Sequence, residues 1–234
     1  MNIVITGASK GMGKALASKF ATPENNIFIC ARNENELANA AQEIKEKNNT
    51  AHIQYFAADL SEKISAEKFT DWLTGQNIIP DILINNAGNF IPGSIYNEEE
   101  GTLEKMIAVN LYSAYYVTRA LLPSMMKKKS GHIFNMCSIA SLKAYDNGGS
   151  YSISKHALMG FSKNLREELK PYNIKVTTVY PGAVYTSSWK DSDIAPSRIM
   201  EVNDIAEMIY TASLLSPQAC VEEIVIRPQL GDLP

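Results

Sequence analysis

Within YSISKH, residues 151–156, Tyr151 and Lys155 stand four apart, which on a helix puts both side chains on one face. A free phenol with a pKa of about 10 is a poor base at neutrality, but an ammonium beside it can stabilise phenolate or help relay its proton. Ser138, just after an apolar run, adds a hydroxyl able to hold a carbonyl or alcohol oxygen. Together the three types suit proton exchange at a carbonyl. A Tyr and a Lys at this spacing are also ordinary on any amphipathic helix, so the pair acquires a chemical meaning only from its company. His156 is turned about 100° from Lys155 around a helix and reads as a packing or interface residue. His52 and His132 open strand-like runs and form no metal cluster.

The elements that must position these residues are legible as an alternation. Short apolar runs lie at 2–6, 26–31, 53–57, 81–85, 131–137, 174–180 and 222–228. Most are too uniformly apolar for a half-solvated sheet, which implies a parallel sheet covered on both faces. Between them fall helical periods. Met12, Leu16 and Phe20 share a face that leaves Lys14 and Lys19 outward; Leu37, Ala40, Ala41 and Ile44 line another. Further helices are expected near 62–74, 102–128, 152–170 and 203–215. With no linker, repeat or low-complexity tract, residues 1–234 read as one doubly wound α/β domain of about seven strands with helices on both faces.

TGASKGMG, residues 6–13, follows the first strand and opens the first helix. Gly7 permits a tight turn, Gly11 lets backbone approach a pyrophosphate, and Gly13 allows close helix-to-strand contact. Ser9, Lys10 and Met12 lie between them as further candidate dinucleotide contacts. The spacing is GxxxGxG rather than GxGxxG, and three glycines also suit a plain tight connection. The second strand ends in Ala31, Arg32 and Asn33. No carboxylate stands at Ala31 to bind both ribose hydroxyls of an unphosphorylated cofactor, whereas Arg32 and Lys10 offer charge-assisted bonds to a 2′-phosphate. NADP(H) is therefore expected over NAD(H). Asp59 can accept from the adenine amine with Leu60 supplying backbone, or cap the helix around 62–74, or both.

NNAG, residues 85–88, follows the fourth strand, where a ligand crevice is expected at the C-terminal edge of the sheet. Asn86 can secure a turn and offer an amide; Ala87 and Gly88 leave room for a flat ring. With a nicotinamide there, Ser138 can hold the substrate oxygen and Tyr151 exchange its proton. Lys155 can then bind the nicotinamide ribose and ease Tyr151 ionisation.

Composition narrows the partners. The chain carries 22 Lys and Arg against 25 Asp and Glu, a formal net charge of -3, so no overall field would gather nucleic acid or anionic lipid. The run Lys127, Lys128, Lys129 reads as the solvated end of a helix. Of the three cysteines, Cys30 and Cys137 sit in apolar strand-like contexts, and with Cys220 they lack metal-site spacing. No segment approaches the roughly 20 apolar residues of a membrane helix, and MNIVITGAS lacks the pattern of an export signal. A cytoplasmic protein is expected.

These residues together resemble the short-chain dehydrogenase/reductase family over nearly the whole chain. TGASKGMG resembles its cofactor glycine motif, NNAG its motif after the fourth strand, and Ser138, Tyr151 and Lys155 its catalytic residues in their usual order and spacing. The resemblance implies that Asn110, within AVNLYS, is a fourth catalytic residue that holds a water continuing the proton relay from Lys155; on residue type alone it reads as a polar helix residue or a mild kink. Pro181, Gly182, Val184 and Thr186 in PGAVYT resemble the segment that shapes the nicotinamide pocket, Thr186 or the Val184 backbone meeting the carboxamide. The implied reaction is reversible hydride transfer between nicotinamide C4 and a small carbonyl or alcohol substrate, with reduction the expected physiological direction.

A short lid is expected at 187–202, with Trp189 as an apolar contact and Lys190, Asp191 and Asp193 as solvated or ligand-facing charges. Arg227 and Pro228 stand where acyl-carrier-protein ketone reductases of the family carry a glycine-rich acidic turn. The chain looks more like the branch of sepiapterin reductases and NADP-dependent 3-hydroxy acid or serine dehydrogenases. The resemblance also implies a homodimer or homotetramer through 102–128 and 152–170, where Tyr112, Tyr116, Phe161 and Leu165 either seal an interface or face the sheet. A non-catalytic dinucleotide sensor and a 3-oxoacyl-acyl-carrier-protein reductase are the alternatives.

Overall fold

The computed structural model describes residues 1–186 and 194–233. The expected lid residues Trp189, Lys190, Asp191 and Asp193 lie outside the described residues. Among those described, seven strands form one sheet: β1 (Asn2–Thr6), β2 (Asn26–Ala31), β3 (His52–Ala57), β4 (Ile82–Asn85), β5 (Gly131–Met136), β6 (Ile174–Pro181) and β7 (Glu223–Ile226). Their order is β3-β2-β1-β4-β5-β6-β7, all pairs parallel. The chain reverses direction across the sheet between β1 and β4, and there the loops leaving the C-terminal strand ends open a crevice.

The apolar runs become strands because both faces are covered. In β1, Ile3 and Ile5 point into one core while Val4 points into the other; β2 divides Ile27 and Ile29 from Phe28 and Cys30 in the same way. Helices α1 (Gly11–Phe20), α2 (Glu34–Lys47) and α7 (Val202–Ser213) cover the first face with Leu16, Phe20, Leu37, Ile44, Ile205 and Ile209. The second is covered by α3 (Lys63–Gly75), α5 (Ser113–Lys128) and α6 (Gly149–Leu169), through Phe69, Leu73, Val117, Leu121, Leu165 and Leu169. The outermost strands β3 and β7 depart from this rule. They lack a neighbour on one side, and Tyr55 and Val225 are exposed.

The run expected as one helix at 102–128 is divided. Helix α4 (Thr102–Ile107) passes into a π-helical turn, Ala108–Tyr112, before α5 begins. A turn widened this way re-aims the side chain inside it, and Asn110 is the buried residue of that turn. Of the residues expected either to seal an interface or to face the sheet, Leu165 does the second and is only 5% exposed. Tyr112, Tyr116 and Phe161 join Tyr115 in an aromatic cluster bridging α5 and α6, with Tyr112–Tyr116 centroids 5.6 Å apart and Tyr115–Phe161 centroids 5.7 Å apart.

A buried polar seam fixes the register beneath the crevice. Asn85 Nδ2 donates to Thr118 Oγ1 and to Asn135 Oδ1, both at 2.8 Å, and Asn135 Nδ2 donates to Ser162 Oγ at 3.0 Å. Ser162 in turn bonds Thr178 at 2.6 Å. The seam ties β4, β5 and β6 to α5 and α6, and a slip of one residue would leave several buried amides unmade at about 1–3 kcal/mol each.

At the other end of β5, His132 stacks on Phe134 and its Nε2 lies 2.7 Å from Thr177 Oγ1. Thr177 spends its proton on Val221 O, so Nε2 is the donor and Nδ1 is the bare acceptor, which has no hydrogen-bond partner among the described residues. Burial pushes the imidazole down to about 3, with Lys175 adding to the effect. Because the folded pKa lies below the unfolded one, the unfolded chain takes up the proton first as pH falls through about 6.5. Stability should therefore decline from about pH 6.5 towards 3, by several kcal/mol. Urea titrations of the parent and His132→Gln across pH 7 to 4 check this, the variant losing most of the slope.

Candidate active site

The phosphate loop and the loop after β4 are built as one piece. Asn86 Nδ2 donates to Thr6 O and Gly7 O, each at 3.0 Å, while Thr6 Oγ1 accepts from the amides of Asn86 and Ala87, also at 3.0 Å. A Cβ at Gly13 would fall 2.2 Å from Gly7 O and 2.6 Å from Asn86 Nδ2. Gly13 is therefore glycine because another backbone passes there, and the amide of Asn86 is spent on holding the loop. Gly7 and Gly11 have positive φ, 65° and 55°, which reverse the chain so that α1 starts without a side-chain cap. Its first amides are left for an anion, and α1 carries no acid in its first turn. The Met12 side chain packs on the core, leaving only its backbone for a ligand. Thr186 closes the far side, its Cγ2 lying 3.4 Å from where a Gly11 Cβ would be.

At the end of β2, Arg32 is exposed and has no ion pair or hydrogen bond among the described residues. Lys10 is different. Its Nζ is 3.7 Å from Glu36 Oε2, and Ser9 Oγ donates to the same oxygen at 3.3 Å. Glu36 sits in the first turn of α2, and the sequence reading overlooked it because acids in a first turn are ordinary. Glu36 thus occupies Lys10, while Arg32 stands open to solvent. Asp59 Oδ1 accepts from the amide and the hydroxyl of Ser61, at 3.0 and 2.6 Å. It closes a local turn and does not cap α3, whose N-cap is Glu62. Leu60 is buried, so only its backbone faces the crevice.

Around the end of β5 the structure brings Ser138, Tyr151, Lys155 and Asn110 together. The Ser138 side chain lies close enough to the Tyr151 phenol to favour its ionised form, while its Oγ accepts from Ala140 N at 3.1 Å. Lys155, only 5% exposed, donates from Nζ to Met136 O at 2.8 Å, and that Nζ stands 5.8 Å from the Tyr151 ring centre. Gly88 fits between the groups: a Cβ there would come within 3.0 Å of Asn110 Oδ1 and 3.4 Å of Lys155 Nζ. Asn110 is fully buried. Its Oδ1 accepts from Asn89 N at 2.8 Å, and its Nδ2 donates to Asn89 O at 3.0 Å and Ser154 Oγ at 2.9 Å. Ser154 Oγ donates to Tyr151 O at 2.7 Å, and Phe90 meets the Tyr151 ring edge-on with centroids 4.9 Å apart. Ser154 and Phe90 were not singled out from sequence. In PGAVYT, Gly182 N bonds Ile226 O at 2.8 Å and Val184 bridges Met200, which places the segment beside the same crevice.

Burial dominates the electrostatics. It raises the Tyr151 phenol to about 12, against the lowering effect of Ser138, and lowers the Lys155 ammonium to about 8. The phenol is thus protonated at neutral pH. His156 bonds its own helix, Nδ1 to Ser152 O at 2.9 Å, and no group of metal-ligating side chains is found among the described residues. No helix among them is long and apolar enough to cross a membrane.

Residues 1–196 match the family model described as short chain dehydrogenase. Among curated proteins the chain is 30% identical to a sepiapterin reductase of Chlorobaculum tepidum, over 99% of this chain and 97% of that one. Among solved structures it is similar to an alcohol dehydrogenase of Thermococcus sibiricus complexed with 5-hydroxy-NADP, with a TM-score of 0.90 and 25% identity over 100% of this chain and 98% of that one. It is also similar to a serine dehydrogenase of Escherichia coli, with a TM-score of 0.83 and 26% identity over the full length of both.

Keeping an ammonium dry at Lys155 costs stability, and the sign of the effect is testable. Its folded pKa, about 8, lies below the usual 10.5, so the folded chain releases the proton first and stability should rise with pH between those values. Lys155→Met should stabilise the protein at pH 7 by about 1–2 kcal/mol in urea titrations, the lost Met136 bond offsetting part of the gain.

Proposed function

Because the chain belongs to the short-chain dehydrogenase family, we propose that it transfers hydride reversibly between NADP(H) and a small carbonyl or alcohol substrate. The observation that carries this reading is the convergence of Ser138, Tyr151 and the buried Lys155 on the crevice edge that the phosphate loop also borders. The dinucleotide, when bound, supplies or receives the hydride. The chain's own residues do the rest.

Ser138 holds the substrate oxygen beside the Tyr151 phenol. A phenol raised to about 12 is protonated at neutral pH, which suits donation to a carbonyl oxygen as its carbon becomes an alcohol. In the reverse direction Tyr151 receives that proton, and the Lys155 ammonium would hold the cofactor ribose and favour the phenolate. Asn110 holds the Asn89 backbone and Ser154 around this group, and extends the proton path towards solvent. Gly7 and Gly11 would admit the pyrophosphate, Gly13 lets the loop pack on Gly7 and Asn86, and Ala87, Gly88, Pro181, Gly182, Val184 and Thr186 would border the nicotinamide.

NADP(H) over NAD(H) rests on Arg32, which follows β2 directly after Ala31 where an acid could have stood, and on Lys10 in the loop before α1. It is supported by the similarity to a structure complexed with a hydroxylated NADP. A substrate of the sepiapterin, 3-hydroxy acid or serine type is our narrower reading, supported by two of the named relatives. Assembly as a homodimer or homotetramer through the aromatic face of α5 and α6, in the cytoplasm, completes it.

Tyr151→Phe should leave NADPH affinity unchanged and lower kcat/KM by about 100-fold or more, as expected for a lost proton donor. Steady-state assays with the best substrate of a carbonyl panel measure it, and near-parental turnover would remove Tyr151 from the chemistry. Arg32→Ala should weaken NADPH at least about 10-fold more than NADH in fluorescence titrations, since one charge-assisted phosphate contact is lost. Equal losses for both would make Arg32 structural.

A further inference from the structure

Helix α6 carries Tyr151 in its first turn, yet its N-cap residue is Gly148, which has no side chain to offer the exposed amides. The missing acceptor comes from 52 residues away. Glu98 Oε1 accepts from Ser150 N at 2.7 Å, and Glu98 Oε2 accepts from Ser150 Oγ. Two glycines leave room for this approach. A Cβ at Gly149, whose φ is +26°, would fall 1.9 Å from Glu98 Oε1, and one at Gly93 would fall 2.8 Å from Glu98 Cγ. Gly93 N also bonds Asn147 O at 3.1 Å, and Ser94 Oγ bonds Asn147 Oδ1 at 3.1 Å, so the segment 93–98 clasps the turn before α6.

The same segment begins at the other end of the active site. Asn89 is bonded in both directions by Asn110, and Phe90 lies against the Tyr151 ring. The contacts close a ring. Asn110 holds Asn89, the chain runs from Asn89 through Phe90 to Glu98, Glu98 holds Ser150, and Tyr151 returns through Ser154 to Asn110. Tyr151 is therefore fixed on two sides, by the amide of its preceding residue and by its own carbonyl.

We propose that Glu98 is a positioning residue for the proton donor, fixing the first turn of α6 so that Tyr151 keeps its place in the ring of bonds through Ser154 and Asn110. It touches neither substrate nor cofactor. The inference rests on the proposed role of Tyr151, and it makes a specific demand on Glu98: reach matters and charge does not. An aspartate keeps the charge but is one methylene too short for both bonds, whereas a glutamine can accept from Ser150 N and donate to Ser150 Oγ.

The full-length protein, Glu98→Asp and Glu98→Gln are compared by NADPH titration, steady-state carbonyl reduction and amide hydrogen exchange of the 148–155 segment. In Glu98→Asp, kcat should fall about 10-fold, the scale of a slightly misplaced catalytic group, with NADPH affinity within about 2-fold of the parent. Exchange in 148–155 should quicken in the same variant. Glu98→Gln should stay within about 3-fold of the parent in kcat, with parental exchange. Unchanged kcat and exchange in Glu98→Asp would overturn the inference. So would equal losses in the two variants, or a loss of NADPH affinity parallel to kcat, which would mark general destabilisation. Absence of turnover in the parent would instead overturn the proposed function, and the exchange comparison would still decide whether Glu98 anchors the helix.

Discussion

The amide of Asn110 is the constraint on which the rest of the site depends. It is completely buried, and a buried amide left unpaired costs about 1–3 kcal/mol. It is satisfied only if the loop after β4 presents both polar groups of Asn89, and only if α6 presents the Ser154 hydroxyl. A regular α-helix through 102–128 would aim this residue elsewhere, and the π-helical turn Ala108–Tyr112 is the backbone adjustment that brings it inward. One side chain thus sets the distance between two segments that never meet in sequence.

Beneath it the sheet is held to the same standard. The seam from Asn85 through Asn135 and Ser162 to Thr178 is polar, buried and hydrogen-bonded across three strands, so β4, β5 and β6 have one register. Above it the phosphate loop is locked to NNAG by Thr6 and Asn86. The crevice therefore has rigid walls on the pyrophosphate and catalytic sides. Its adenosine end is built otherwise, from exposed charges: Arg32 stands open, and Lys10 leans on Glu36. The Lys10–Glu36 pair lies near water, where such pairs contribute modestly.

The architecture was legible because its signal is redundant. β1, β2, β4 and β6 are apolar on both faces, and the glycines of the phosphate loop stand where close backbone approach requires them. Ser138, Tyr151 and Lys155 could be grouped from spacing alone, since a helix and a strand end fix their faces. Asn110 could not: its orientation comes from a π-turn that residue type does not announce, and only family resemblance pointed to it. For Asp59 the sequence left an adenine contact and a helix cap both open; the cap is not formed, because Ser61 takes Asp59 Oδ1 and the N-cap of α3 is Glu62. For Leu165 an interface and the sheet both stayed open, because a helical face is ambiguous until the sheet is placed. Glu36, Phe90, Glu98 and Ser154 escaped notice for one shared reason. Their significance lies in partners brought close by the fold, and neither composition nor spacing carries that information.

The central claim is that this crevice moves hydride to a carbonyl carbon. The direct measurement is isotope transfer: purified protein with NADPH deuterated at the nicotinamide C4, a panel of aldehydes, ketones and oxo acids, and mass spectrometry of the alcohols formed. The account expects deuterium on the carbinol carbon of at least one product, from one face of the nicotinamide only. Saturable binding of NADPH with no deuterated alcohol across the panel would contradict it, and would leave a dinucleotide-binding protein without the chemistry its residues suggest.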